Sequence, residues 1–175
     1  IVGQSSAFAD CRKEPGAQCQ GAVLKGVIWK NADISGGNFR NANFEGANLE
    51  GTRFKGADLR GANLKSARME RSDLADVNLE GADLRGANLR HASLPRAQLG
   101  SANISKAFLE GADLSSSRLN GADLTRSQLV GADLQQADMR GAQLDGAFLN
   151  YSNLKQANLS GTSIQRFRII GARLA

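Results

Sequence analysis

Residues 57–61 read Ala57-Asp58-Leu59-Arg60-Gly61, and residues 82–86 read Ala82-Asp83-Leu84-Arg85-Gly86. Working outward from these two stretches, a large apolar residue stands at every fifth position. The series opens Leu24, Trp29, Ile34, Phe39, Phe44, Leu49 and closes Leu159, Ile164, Ile169, Leu174. Steps of five from 24 to 174 give 31 positions, and 21 of them are Leu. That period fits neither the helical repeat of about 3.6 residues nor the two-residue alternation of a strand. It requires a backbone that turns one corner every five residues.

The other slots agree. Two residues before each apolar centre, 21 of 31 positions are Ala, and most of the rest are Ser, Thr, Gly or Val. One residue before the centre, 17 of 31 are Asp or Asn. Gly is the commonest residue two places after it. A wall five residues long buries nothing alone, so stacked neighbours must supply the core, with Leu filling the centre and Ala seated beneath it. Gly, Asn and Asp suit the corner, where they tolerate tight turn geometry.

On these residues the chain resembles the pentapeptide-repeat family over about 150 of its 175 residues. The resemblance implies an all-β fold, a right-handed quadrilateral parallel β-helix with four pentapeptides per coil. Thirty-one units then make seven to eight coils over residues 21–175, above an N-terminal cap at residues 1–20. Coils about 4.8 Å apart give a rod roughly 35–40 Å long.

Composition bounds the rest. The 175 residues make one domain, and no apolar run is long enough, at about 18 residues, to suggest a membrane span. Net charge is +5 and the pI is about 9.6, which raises nucleic acid as a partner until the charges are placed. The register sorts them onto four faces: A with Leu24 and Phe44, B with Trp29 and Leu49, C with Ile34 and Phe54, D with Phe39 and Leu59. Basic against acidic residues number six to four on A, five to three on B, five to five on C and four to three on D. No face counts as a basic or acidic stripe, which reads as a solvated surface. Along the rod the C-terminal end is positive: after Asp145 come only Lys155, Arg166, Arg168 and Arg173.

Residues 1–20 break the beat and should cap the lower end of the coil, where unpaired backbone would otherwise face water. The two cysteines, Cys11 and Cys19, flank the turn dipeptide Pro15-Gly16. A disulfide closing that loop would staple the cap; the alternative is two free, partly buried thiols. Secreted and lumenal members of the family often carry such a pair, so the resemblance implies a thylakoid lumen or periplasm, with a cytoplasmic location if the thiols are reduced. Ala7-Phe8-Ala9 ahead of Asp10 resembles a processing site, and the initial Ile1 suggests a trimmed start.

No active site, cofactor site or metal site emerges. The Asp and Asn spacing is that of the repeat, and His91 stands alone at a corner with no nucleophile in register. Two thiols with a distant histidine do not make a zinc site, and a bore packed with Leu and Ala leaves no room for a substrate. The informative residues are large apolar ones in outward slots: Val23, Ile28, Phe108, Val130, Phe148, Tyr151 and Ile170, all but Val23 on face B. Phe108 and Phe148 fall two coils apart, roughly 10 Å, with Val130 between. With Tyr151 and Ile170, and with Arg166 and Arg168 beside them, they are expected to form a strip for a protein partner.

The end at Gly171-Ala172-Arg173-Leu174-Ala175 has no cap in the pattern, which leaves three explanations: further residues, an end-to-end homodimer, or docking on another protein. The expected function is a non-enzymatic scaffold, an accessory subunit docking on the lumenal or periplasmic face of a membrane complex. One alternative is a topoisomerase-binding DNA mimic, as some members of the family are; those are acidic rods, and this chain is basic. A second is nucleic-acid binding through the basic C-terminal end, against which stands the absence of interleaved aromatics.

Overall fold

A chain that corners every five residues returns above its starting point after four corners. In the computed structural model, which describes residues 11–174, that closure is seen directly. Each outward residue pairs in parallel with the one twenty positions on, from Gln18–Asn38 through Asn153–Arg173. The first ten residues of the expected cap, with Ala7-Phe8-Ala9, lie outside the described residues. The ladder consists of single bridges rather than extended strands, because each wall has room for only one paired residue before the next corner. It begins inside the span expected for the cap: Ala17 takes the small-residue slot and Cys19 the inward slot, exposed by only 6% and 2%.

The unit around Leu64 shows how the backbone is satisfied. Ala62 N donates to Leu59 O at 3.0 Å, closing the corner. Asn63 N donates to Ala42 O in the coil below at 2.9 Å, Leu64 N to Asp83 O in the coil above at 2.7 Å, and Ser66 N to Arg85 O at 3.0 Å. One amide per unit, that of the residue after the centre, finds no backbone acceptor. Here it is Lys65 N, and the Asn63 side-chain Oδ1 accepts it at 3.1 Å. The same Asx turn recurs at every one of the 17 Asp and Asn residues in that slot. The short side chain caps its own backbone two residues on, which explains why the repeat uses Asp and Asn.

The residue two after each centre takes φ between 54° and 72°, from Gly16 to Gly171 without exception. Glycine adopts that conformation without strain. Fifteen non-glycine residues, including His91, Lys106, Arg126 and Tyr151, also hold it because the ladder on both sides fixes the turn.

Inside, the centres from Ile34 to Leu154 are at most 2% exposed. The lowest coils replace Leu with aromatics. Phe39, Phe44 and Phe54 pack in tilted and edge-to-face contacts at 5.5–6.4 Å, and Trp29 meets the first two of them at 6.2 and 5.8 Å. Gly37 makes room for this plug: a Cβ there would fall 2.4 Å from the Phe39 ring. Below it, Cys11 and Cys19 form a disulfide with Cα atoms 4.9 Å apart. At the other end Ile164 and Leu174 point inward yet are 50% and 59% exposed. Among the described residues no helix is long and apolar enough to cross a membrane.

Candidate interaction wall

Wall B departs from the capping rule. Its outward column runs Ile28, Asn48, Arg68, Asn88, Phe108, Gln128, Phe148, Arg168. Only Asn48 and Asn88 cap the amide that follows. Four consecutive coils, at Phe108, Gln128, Phe148 and Arg168, forgo the Asx turn, and no other wall omits it so many times running. Departures from a repeat's own rule are expected at functional or strained sites.

The structure brings the expected strip residues onto this wall but not as a bare apolar surface. Phe108 is half-buried beneath Arg90, whose guanidinium carbon lies 4.4 Å from the ring centroid, and Arg90 also pairs with Glu110 at 2.9 Å. Phe148 is half-buried beneath Arg168 at 5.3 Å. Val130 is half-buried between them. Tyr151 lays its ring over Gly171, where a Cβ would meet Cδ1 at 2.7 Å, and it remains 69% exposed. Ile170 is 70% exposed, its amide donating to Asn150 Oδ1 at 3.0 Å. Arg166 stands apart, on the corner joining walls A and B. The strip is therefore an arginine–aromatic surface, because long guanidinium side chains from neighbouring positions fold over the rings. Val23 and Ile28 are exposed at the lower end of the rod, away from the strip.

Below the strip the wall is ionic. Lys30, Glu50, Arg68 and Glu70 form a chain of pairs at 3.0–3.7 Å. With Arg71, Asn88, Arg90 and His91 these glutamates and Arg68 line a surface concavity of about 410 Å³. The Lys30 hydrogen bond is the main cause holding the Glu50 carboxyl below its usual value. His91 lies flat on Gly111, its Nδ1 2.7 Å from where a Cβ would be. Among the described residues no three His, Cys, Asp or Glu converge as metal ligands.

Comparison with known proteins identifies the repeat. Pentapeptide repeats match in eight overlapping copies, from residues 17–56 to 137–174. The chain belongs to the pentapeptide repeat family. Among solved structures it is similar to HetL, a pentapeptide repeat protein involved in heterocyst differentiation regulation from Nostoc sp. strain PCC 7120. The identity is 26%, covering 91% of this chain and 87% of that one, with a TM-score of 0.42. Trypsin-treated QnrB1, a plasmid-mediated fluoroquinolone resistance protein, shares 24% identity over 90% and 88% of the two chains, with a TM-score of 0.46. A pentapeptide repeat protein of the Arabidopsis thaliana thylakoid lumen shares 25% over 67% and 68%, with a TM-score of 0.22. No curated protein matches.

In a pentapeptide repeat charge sorts naturally by corner and flat, and that sorting corrects the tally obtained by whole face. The corner between walls A and B carries Lys25, Lys65, Arg85, Lys106, Arg126 and Arg166 against Glu45 and Asp145. The face count hid this because Asp83 and Asp123 stand on the adjoining flat of wall A, where they cap Arg85 N and Thr125 N. On this corner Arg85 folds back onto Asp83, the capping carboxylate of its own unit, at 2.5 Å, as Arg60 does onto Asp58 at 2.6 Å and Arg140 onto Asp138 at 2.7 Å on wall D. Those hydrogen bonds are the leading cause lowering the Asp58, Asp83 and Asp138 carboxyls below their ordinary 3.8. Sequence reasoning missed Arg90, Gln128, Lys106 and Arg126; counting column by column would have found the two cations.

Proposed function

We propose that this chain is a non-enzymatic scaffold that binds another protein through the upper half of wall B. The observation that carries it is the run of four coils without an Asx cap, at Phe108, Gln128, Phe148 and Arg168. Rigid walls hold those side chains at fixed coil spacing, so the surface is organised before a partner arrives and loses little entropy on docking. Phe, Tyr and Arg are enriched in protein interfaces, and Tyr and Arg also among binding hot spots.

The finer reading is a right-handed rod of seven to eight coils above the stapled cap, working in an oxidising lumen or periplasm. There the Cys11–Cys19 bond would persist, and a membrane complex with a face in that compartment is the proposed partner. Site-specific photo-crosslinking from position 128 tests the wall, with position 138 on wall D as the control. Crosslinks at 128 that vanish in Phe108→Asp/Phe148→Asp, with a melting temperature no lower than that of the parent chain, support the reading. Equal crosslinking from both positions, or partner binding unaffected by the double substitution, refutes it.

A further inference from the structure

We propose that the corner between walls A and B is a cationic ridge that receives an acidic segment of a partner protein, running along the rod. This rests on the reading of wall B as the docking wall and specifies the chemistry of what docks beside it. Above Glu45 the cations of this corner are Lys65, Arg85, Lys106, Arg126 and Arg166. All are exposed, and among the described residues only Arg85 makes an ion pair, with Asp83. The carboxylate that interrupts them, Asp145, is turned onto the coil above, where it accepts Ser163 Oγ and Gln165 N. The adjoining column of wall B contains no acid in eight coils and adds Arg168 at its top.

Two shallow concavities lie on the same corner. One, of about 310 Å³, is lined by Lys65, Ser66, Arg85, Gly86, Ser105 and Lys106. The other, of about 380 Å³, lies among Arg126, Asp145, Gly146, Gln165 and Arg166. Each centres on a glycine that interrupts the column of corner side chains. Lys106 and Arg126 sit on successive coils, about 4.8 Å apart, and Arg126 and Arg166 two coils apart. Carboxylates on one side of an extended strand recur at roughly 6.6 Å, a mismatch that long Lys and Arg side chains absorb.

The neighbouring aromatics favour protein over nucleic acid. Base stacking needs open ring faces, and the two phenyl rings beside the ridge are already covered by Arg90 and Arg168. A guanidinium stacked on a ring keeps its edge donors free, and Arg168 has no ion pair among the described residues, so its fork suits a carboxylate.

The test is fluorescence anisotropy with a labelled 20-residue polyglutamate peptide at low and moderate salt, using K106E/R126E/R166E. The charge-matched control is R40E/K55E/K155E, three unpaired cations on the other corners. The ridge variant should weaken binding at least tenfold and the control less than threefold. If reversal disturbs folding, K106Q/R126Q/R166Q replaces it, since Gln136 and Gln156 already hold the same left-handed corner position. Equal loss in ridge and control variants overturns the proposal in favour of net charge alone. Tighter binding of a 20-nucleotide oligothymidylate, lost in the same ridge variant, overturns it in favour of nucleic acid. The two readings fail separately: crosslinks from position 128 that survive the ridge reversal remove the ridge and leave wall B standing, whereas equal crosslinking from positions 128 and 138 removes wall B.

Discussion

The amide left over in each pentapeptide makes one prediction quantitative. Asp123 Oδ1 accepts Thr125 N at 2.9 Å and has no ion-pair partner among the described residues, so Asp123→Ala removes the Asx turn and little else. A hydrogen bond to a carboxylate contributes more than a neutral one, and partial exposure reduces it, leaving a cost of roughly 1–2 kcal/mol. For a chain of this size that lowers Tm by roughly 2–8 °C. Gln128→Asn is the opposite case. The longer Gln side chain makes no hydrogen bond among the described residues, and Asn would cap Val130 N as its counterparts do elsewhere, stabilising by roughly 0.5–1.5 kcal/mol. Ser93→Ala is the neutral control: the residue two positions on is Pro95, which has no amide to cap. It should stay within about 0.5 kcal/mol. Calorimetric melts of the three variants, with hydrogen exchange at Val130, decide the matter. Equal losses for Asp123→Ala and Ser93→Ala, or a lower Tm for Gln128→Asn, would show that the Asp and Asn column is not there to cap the backbone.

Other perturbations follow from the same geometry. Cys11→Ser opens a loop with a sequence separation of 8; the chain-entropy relation gives a loss of about 2.5 kcal/mol, read as a lower urea midpoint matched by adding reductant to the native chain. Gly37→Ala drives a methyl against the Phe39 ring and should destabilise by roughly 1–3 kcal/mol, measured by thermal melt, whereas the same change at Gly56, where nothing lies within 4 Å, costs only the strain of its positive φ. Ser117→Ala removes a buried hydroxyl with no partner among the described residues and should stabilise by about 1 kcal/mol, while Ser127→Ala loses a bond to Leu124 O and should not. The Asp33, Glu50, Asp58, Asp76, Asp83 and Asp138 carboxyls are all held below their ordinary 3.8 or 4.5 by neighbouring Ser, Lys or Arg hydrogen bonds. Lowered folded values mean stability that is present above the unfolded pKa and lost as pH falls through the folded ones. Melting temperature should therefore be level from pH 8 to about 5 and fall below about 4; a fall that begins near pH 6 contradicts this.

Most of the architecture was legible in the chain because each slot imposes one demand. Inward positions need bulk, so Leu and Phe mark the bore; the seat beneath needs smallness, so Ala marks it. The lower boundary was misplaced because Cys19 fills an inward slot without being large, although Ala17 two residues earlier was a readable sign. The capping role of Asp and Asn was invisible until the backbone was traced, since a surface position and a cap look alike in a pattern. The strip on wall B was readable from Phe108 and Phe148, but its character was not: which guanidinium folds over which ring depends on side-chain reach between coils. The cationic corner was hidden by a choice of ruler, because averaging over a five-residue face mixes a capping Asp with the Lys or Arg that follows it.

The twenty-residue ladder also governs how such a chain can change length. Removing one pentapeptide between Phe108 and Phe148 would leave every slot satisfied, yet it would rotate everything beyond the deletion by a quarter turn and carry Phe148 to a different side of the rod. Removing four would shorten the rod by one storey and leave each column in line. Bulk, smallness and capping tolerate any multiple of five, whereas a surface assembled from several storeys tolerates only multiples of twenty.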